Sequence, residues 1–308
     1  MPHASGLPKM RQAFQPDSVV AHATGLCRAV WAGTGKKRGP ETMQSGWLVM
    51  LVVLTGLLAG CSRSDGNRTP TEKPSGEKTE LLIYVGAGIR PPVAELAEVF
   101  GKEHHINVVA DYAGSEMLIS KIKLSRRGDV YMPGEKEYVD QAARAGMIHS
   151  QEPVCYFVPT ILVRKGNPMG IQGLADLAKP DLKLGLGDEK ACAIGRTSRK
   201  IFEKNKIPWA DIEKNLKFQS TTVNELGLHI QAGSLDAVIV WDAVAVYYAE
   251  HGDAVPIPKD ANVISTVDAG VLTFSKNREW AERFVAFMRS ERGRAVFKKH
   301  QYQVDAPK

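Results

Sequence analysis

The chain has 308 residues, with 40 Lys/Arg against 34 Asp/Glu and a formal net charge of +6. The excess sits at the amino end: beyond residue 60 there remain 34 Lys/Arg and 32 Asp/Glu, a net +2, with no basic stripe interleaved with aromatics, which argues against a nucleic-acid partner. The cysteines (Cys27, Cys61, Cys155 and Cys192) form no CxxC pair and no Cys/His cluster at zinc spacing, so a zinc module is excluded.

In chain order, the first 42 residues carry Lys36, Lys37 and Arg38 ahead of an apolar run, and Met43 is a second candidate start. Trp47–Leu58 (WLVMLVVLTGLL) is 12 residues long. That is shorter than the ~20 residues a spanning helix needs, and it has the length of a signal-peptide hydrophobic segment. It runs into LLAGC, Leu57–Cys61, small residues directly before a cysteine. That pattern resembles the lipobox of bacterial lipoproteins and implies lipid attachment at Cys61. Residues 62–79 contain no aliphatic or aromatic side chain and are rich in Gly, Pro, Ser, Thr and charge. They read as a disordered tether between a leader (1–60) and a folded part.

From Glu80 onward about 230 residues remain, in which strands and helices alternate. Leu81–Val85 reads as a buried strand, followed by a helix opened by Pro91-Pro92 and bearing Val93, Leu96, Ala97 and Phe100 on one face. Ile106–Tyr112 is a second strand, with a helix behind it carrying Leu118, Ile119 and Ile122. Gly128–Met132 is a third, leading to a helix around Tyr138–Ala145. Tyr156–Pro168 is a longer β-rich run that opens a second segment. There Leu182–Asp188 reads as a strand and the stretch from Arg196 as a helix. Thr222 and Glu225 stand at capping-box spacing, with Gly233 as the helix stop. Asp236–Trp241 reads as a strand buried on both faces. Trp280, Phe284, Phe287 and Met288 repeat at three-to-four spacing, as core rather than site. His104-His105 reads as a surface pair. Cys155 and Cys192 are either one disulfide or two buried thiols. The alternation implies an α/β fold with parallel strand pairing.

Four glycine-rich or polar turns follow strands and open helices: Gly86–Arg90, Ala113–Glu116, Asp188–Arg196 and Ser220–Asn224. In an open parallel sheet such turns gather at the carboxyl ends of the strands, where ligands bind. Helix amino termini there expose unpaired N–H groups and about half a positive charge each, which suits an anion. A dinucleotide is disfavoured because Pro91 stands where the fingerprint needs a third glycine. No Gly-Lys-Ser/Thr phosphate loop, no Gly-x-Ser-x-Gly and no convergent catalytic set occurs, so an enzyme is not expected. A tight turn without a ligand is the simplest alternative for any one of these loops.

Taken together, YVGAGIRPPVAELAEVF, DYAGSEMLISKI, GDVYMPGEKEYVDQAARAGMI, ILVRKGNP, GDEKACAIGR and HIQAGSLDAVIVWDAVAV resemble, in order and spacing, the molybdate- and tungstate-binding proteins of ABC importers. The resemblance runs from about Leu81 to Val304. It implies a type II periplasmic binding protein fold: two α/β lobes (80–157 plus 257–308, and 158–256) joined by two crossover strands near Phe157-Val158 and Val255-Pro256, with an oxyanion in the cleft. It further implies a monomer without cofactor, held by its lipid anchor in the periplasm or on the outer membrane face, that passes molybdate or tungstate to a membrane permease. Carried over by motif, the ligand-binding positions are Ala87 and Gly88, Gly114 and Ser115, Ala193 and Ile194, Val223, and Trp241. Gly88 stands where the family offers a serine, and Trp241 where it offers a tyrosine. Arg90, Glu116, Asp188, Glu189, Cys192, Arg196, Asn224 and Glu225 are further ligand or rim candidates. The alternatives are a binding protein for another small anion (sulfate, a phosphorylated compound or a carboxylate), or a surface interaction or sensory protein on the same fold.

Overall fold

The structure is a computed structural model that describes residues 79–307. The leader, the lipid-attachment candidate Cys61 and the tether up to residue 78 lie outside the described residues. In chain order the strands are β1 (Glu80–Gly86), β2 (Asn107–Ala113), β3 (Val130–Met132), β4 (Ile148–Phe157), β5 (Pro159–Arg164), β6 (Leu184–Gly187), β7 (Leu216–Ser220), β8 (Ala237–Trp241), β9 (Gly252–Pro256) and β10 (Ser265–Leu272). The helices are α1 (Arg90–His104), α2 (Ser115–Ser125), α3 (Lys136–Arg144), α4 (Ala193–Lys204), α5 (Trp209–Asn215), α6 (Val223–Gln231), α7 (Asp242–Tyr247), α8 (Arg278–Arg289) and α9 (Glu291–Lys299). No helix among the described residues is long and apolar enough to cross a membrane.

Two five-stranded sheets are built to one plan, β2-β1-β3-β10-β4 and β7-β6-β8-β5-β9. In the first, β1 pairs parallel with β2 and β3, while β10 runs antiparallel to β3 and β4. In the second, β6 pairs parallel with β7 and β8, while β5 runs antiparallel to β8 and β9. Each sheet is therefore a parallel trio, covered by the helices that return its chain, closed by an antiparallel pair. The chain leaves the first sheet at Phe157 and enters the second at Pro159 with only Val158 between them; it returns in the segment between Pro256 and Ser265. This is the type II periplasmic binding protein architecture expected from the resemblance.

Burial explains the elements. The first-sheet core takes Leu81, Ile83 and Val85 from β1 and Val93, Leu96 and Phe100 from α1. The aromatic repeat of α8 is core as expected: Phe284 and Met288 are fully buried, and the Phe284 ring lies 5.2 Å from that of Phe100. All five residues of β8 are buried, as its unbroken apolar sequence implies. His104 and His105 are exposed, and His105 takes the left-handed conformation that ends α1. Cys155 and Cys192 are both buried free thiols, which decides between the two readings of that pair.

The β-rich run Tyr156–Pro168 holds the end of β4 and all of β5, which belong to different sheets, and the chain crosses between them at Val158. Two expectations are corrected. The helix expected from Arg196 begins earlier, at Ala193. The Thr222 side chain does not cap α6. Instead the Ser220 hydroxyl accepts from the Thr222 N–H at 3.0 Å, while the Glu225 carboxylate accepts from the Ser220 hydroxyl at 2.6 Å and the Thr221 N–H at 3.3 Å. Gly233, with φ +67°, follows the carboxyl cap of α6 as the stop expected there.

Candidate functional site

Strand register brings the four turns together. Gly86 pairs with Ala113 at the carboxyl ends of β1 and β2, and Gly187 with Ser220 at those of β6 and β7. The first turn, Ala87–Ile89, is a single 3-10 turn leading into α1; Gly114, Cys192 and Thr222 precede α2, α4 and α6. At all four junctions the capping residue makes no side-chain hydrogen bond to the helix it precedes. Helix amino termini often use such bonds to satisfy their first N–H groups; here no cap side chain takes them, although the Glu116 N–H of α2 donates to the Ala191 carbonyl and the Gly195 N–H of α4 to the Cys192 carbonyl.

They surround a cavity of about 20 Å³ lined by Gly86, Ala87 and Gly88; Ala113, Gly114 and Ser115; Gly134; Phe157; Cys192, Ala193 and Ile194; Thr222 and Val223; and Trp241. That space is small, on the order of one or two water-sized groups. All eight positions carried over by motif lie on this wall. Gly134 and Phe157 are additions that the sequence reading missed. Gly134 follows β3, a fifth strand-to-helix junction whose Met-Pro-Gly turn was the available signal. Phe157 ends β4 and stacks on Trp241, ring centroids 4.6 Å apart.

No charged side chain is among the lining residues. Of the further candidates only Cys192 reaches the wall; burial pushes its thiol up to about 12, against the pull of the Gly195 and Ile194 amides, so the thiol stays neutral. Asn224 spans the junction between the two sheet units by donating to the Ala87 carbonyl at 3.2 Å. The Arg90 guanidinium sits over the Tyr112 ring at 5.3 Å. Arg196 lies 3.8 Å from Glu116 and 4.0 Å from Glu137. Asp188 accepts from the Lys190 N–H at 2.7 Å, Glu189 is exposed, and Glu225 is held by Ser220 and Thr221. Among the described residues no group of three or more His, Cys, Asp or Glu is placed to hold a metal ion.

The polar groups at the wall are donors. Ser115, 3% exposed, accepts the Gly134 N–H on its hydroxyl oxygen at 3.1 Å, which leaves its O–H to donate elsewhere. Its carbonyl is fixed by the Tyr131 hydroxyl at 3.2 Å. The Gly88 carbonyl is likewise turned outward, accepting from the buried Tyr302 hydroxyl near the carboxyl end. Two glycines allow the closeness of the walls. A Cβ on Gly114 would lie 2.5 Å from the Thr221 carbonyl oxygen and 2.7 Å from that of Ala191. One on Gly88 would lie 2.7 Å from Val223 Cγ1 and 3.1 Å from Trp241 Cδ1. Chemically, the arrangement can surround a small, fully deprotonated anion with N–H and O–H groups.

Known proteins resemble this chain in sequence and in fold. A binding protein of Haemophilus influenzae is 27% identical over 223 residues, 72% of this chain and 90% of its own. The molybdate-binding protein ModA of Mycobacterium bovis is 24% identical over 255 residues, 81% of this chain and 93% of its own. Among solved structures, the sulfate-binding protein SubI of Mycobacterium tuberculosis superposes with a TM-score of 0.66 at 15% identity, covering 74% of this chain and 88% of that one. These relatives are binding proteins, not enzymes. Residues 81–303 match the family described as bacterial extracellular solute-binding protein, and the chain belongs to that family.

Proposed function

We propose that this protein captures molybdate or tungstate outside the cytoplasm and delivers it to an ABC permease. Its two sheet units then serve as lobes (80–157 plus 257–308, and 158–256) that close around the ion, and Cys61 carries a lipid anchor. The observation that carries the reading is the cavity wall: three helix amino termini without a side-chain cap, the Ser115 hydroxyl and the Trp241 indole line one small space with no charged side chain. Such a wall suits a compact dianion. It disfavours a metal cation, which needs anionic or lone-pair ligands, and it disfavours monohydrogen phosphate, whose proton would face donors and leave a buried pair unmatched at a cost of ~1–3 kcal/mol. The similarity to a molybdate-binding protein along most of both chains supports the metal oxyanions.

Sulfate is the second reading, favoured by the small cavity and by the fold likeness to a sulfate-binding protein. The two oxyanions differ in bond length, so a rigid ring of donors separates them by radius.

The test is a melting-temperature titration of residues 62–308 with molybdate, tungstate, sulfate and phosphate. Binding to the folded state alone raises stability by about 2.7 kcal/mol at a hundredfold excess over Kd, a shift of several degrees for a protein of this size. A response to the two metal oxyanions and not to phosphate is expected. A response to sulfate alone would transfer the function to the second reading, and silence toward all four would end both.

A further inference from the structure

The helix whose amino end supplies Ala193 and Ile194 to the cavity also carries a row of contacts that the binding reading does not use. α4 packs on its own sheet through Ile194, Ser198, Ile201 and Phe202, all buried. Its other face, at three-to-four spacing, presents Arg196, Thr197 and Lys200 to the first sheet unit. There they meet Glu116 of α2, Glu135 and Glu137 at the start of α3, and the Tyr138 ring. Lys200 donates to Glu137 at 2.7 Å, Arg196 lies between Glu116 and Glu137 and sits 4.3 Å from the Tyr138 ring centroid, and the buried Thr197 hydroxyl donates to Glu135. Beside this row the Glu116 N–H donates across the junction to the Ala191 carbonyl at 3.4 Å.

We infer that the Arg196–Thr197–Lys200 face of α4 is a closure latch, which holds the two sheet units together over an occupied cavity and sets how long the bound anion stays without touching it. The inference rests on reading the cavity as an anion site and the two sheet units as lobes. Its logic is positional. Every partner of the row belongs to the other sheet unit, so the contacts exist only when the units are closed. The row also starts within one turn of the cavity wall, so closing the latch and seating Ala193 and Ile194 are one movement. The ion pairs at its outer end are part-exposed, individually weak and screened by salt. The inner Thr197–Glu135 bond is buried, and one Glu135 oxygen there has no partner among the described residues, so loss of the Thr197 hydroxyl leaves a buried carboxyl poorly satisfied. A latch of this make releases readily yet discriminates closed from ajar.

The experiment measures dissociation of molybdate, and of sulfate in parallel, by stopped-flow tryptophan fluorescence. The proteins are wild type, K200E, E137K, the swap E137K/K200E, and T197V. K200E and E137K are expected to speed release by about two- to fivefold at low salt, the range of a surface ion pair, with the difference shrinking in 1 M salt. The swap is expected to restore the wild-type rate, and T197V to speed release with no salt dependence. Melting temperatures of the anion-free variants should stay near wild type, since the latch is open there. If wild type binds but K200E releases at the wild-type rate, or if the swap rescues nothing, the latch is overturned. Equal loss of stability with and without anion would make the row an ordinary structural contact and overturn it too. If wild type binds neither anion, the binding reading fails by itself. The latch, defined over an occupied cavity, falls with it, whereas binding by wild type with an unaltered release rate in K200E overturns the latch alone.

Discussion

At Gly88 a single hydrogen in place of a side chain decides how the cavity closes. The residue belongs to the first sheet unit, and the atoms its Cβ would meet belong to Val223 and Trp241 of the second. The indole of Trp241 fills the space that a side chain at 88 would need, and it is held there by stacking on Phe157. The two departures noted in the sequence, glycine for serine and tryptophan for tyrosine, are therefore one structural event: the larger aromatic requires the smaller neighbour. Sequence reading treated them separately because only the fold brings positions 153 residues apart into contact. Overpacking of this kind costs about 1–3 kcal/mol. Gly88→Ala is thus expected to weaken oxyanion affinity about tenfold or more, as measured by titration calorimetry, with the anion-free melting temperature unchanged because the clash exists only across the junction. Wild-type affinity in the variant would mean that the two walls do not approach in the bound state as they do here.

At the scale of elements, the α3–α4 junction carries a titratable group out of water. Glu135 is 4% exposed, and burial pushes its carboxyl up from the usual 4.5, partly offset by the Thr197 hydroxyl and by the Lys200 and Arg196 charges, with Glu137 adding to the rise. Ser265 faces it from β10. Because the folded-state value is raised, the folded protein favours the protonated carboxyl. The resulting stability is fully present below about pH 4.5 and is lost as pH rises through the raised value. Glu135→Gln keeps an acceptor for Thr197 and cannot ionise. With anion bound, its melting temperature relative to wild type is therefore expected to climb between about pH 4.5 and pH 7; a difference flat across that range would show that Glu135 does not titrate there. Elements were legible where burial was one-sided or complete: β1, α1, β8 and α8 show it in their apolar spacing. β4 was not. His149, Ser150, Gln151 and Glu152 occupy its exposed or half-buried first part, so in the sequence only its end, Tyr156-Phe157, stands out as β-rich. The α6 cap shows the same limit: the Thr222/Glu225 spacing was right, but Ser220 accepts the bond, because its hydroxyl reaches the Thr222 N–H from the end of β7.

For the whole molecule, the gathering of four helix-opening turns was readable because parallel strands share one direction and so deliver their carboxyl ends to one edge. What the chain order hid was the wall contributed by the crossing strand, Phe157, whose position follows from how the two sheets face each other; the fifth turn, Gly134, follows the parallel strand β3 and obeys the same rule as the other four. The amino-terminal segment belongs to this scale as well. If LLAGC directs lipid to Cys61, the full chain expressed in a bacterium is expected in the membrane fraction, and Cys61→Ser in the soluble fraction. An unmodified chain that stays soluble in both forms would remove the anchor from the proposed function.

The direction of β1 makes the two ends of the described segment unequal. The strand starts at Glu80, whose carbonyl is held by Asn277, and reaches the cavity only at Gly86, about 20 Å further on at ~3.3 Å per residue. The carboxyl end does the opposite, since Tyr302, six residues before Lys308, grips the Gly88 turn from behind. A biosensor surface, resin or fluorescent reporter should therefore be coupled upstream of Glu80, where it pulls on the far edge of the first sheet and leaves the mouth of the cleft facing solution. The same cargo attached just after Tyr302 would load the segment that holds the Gly88 turn.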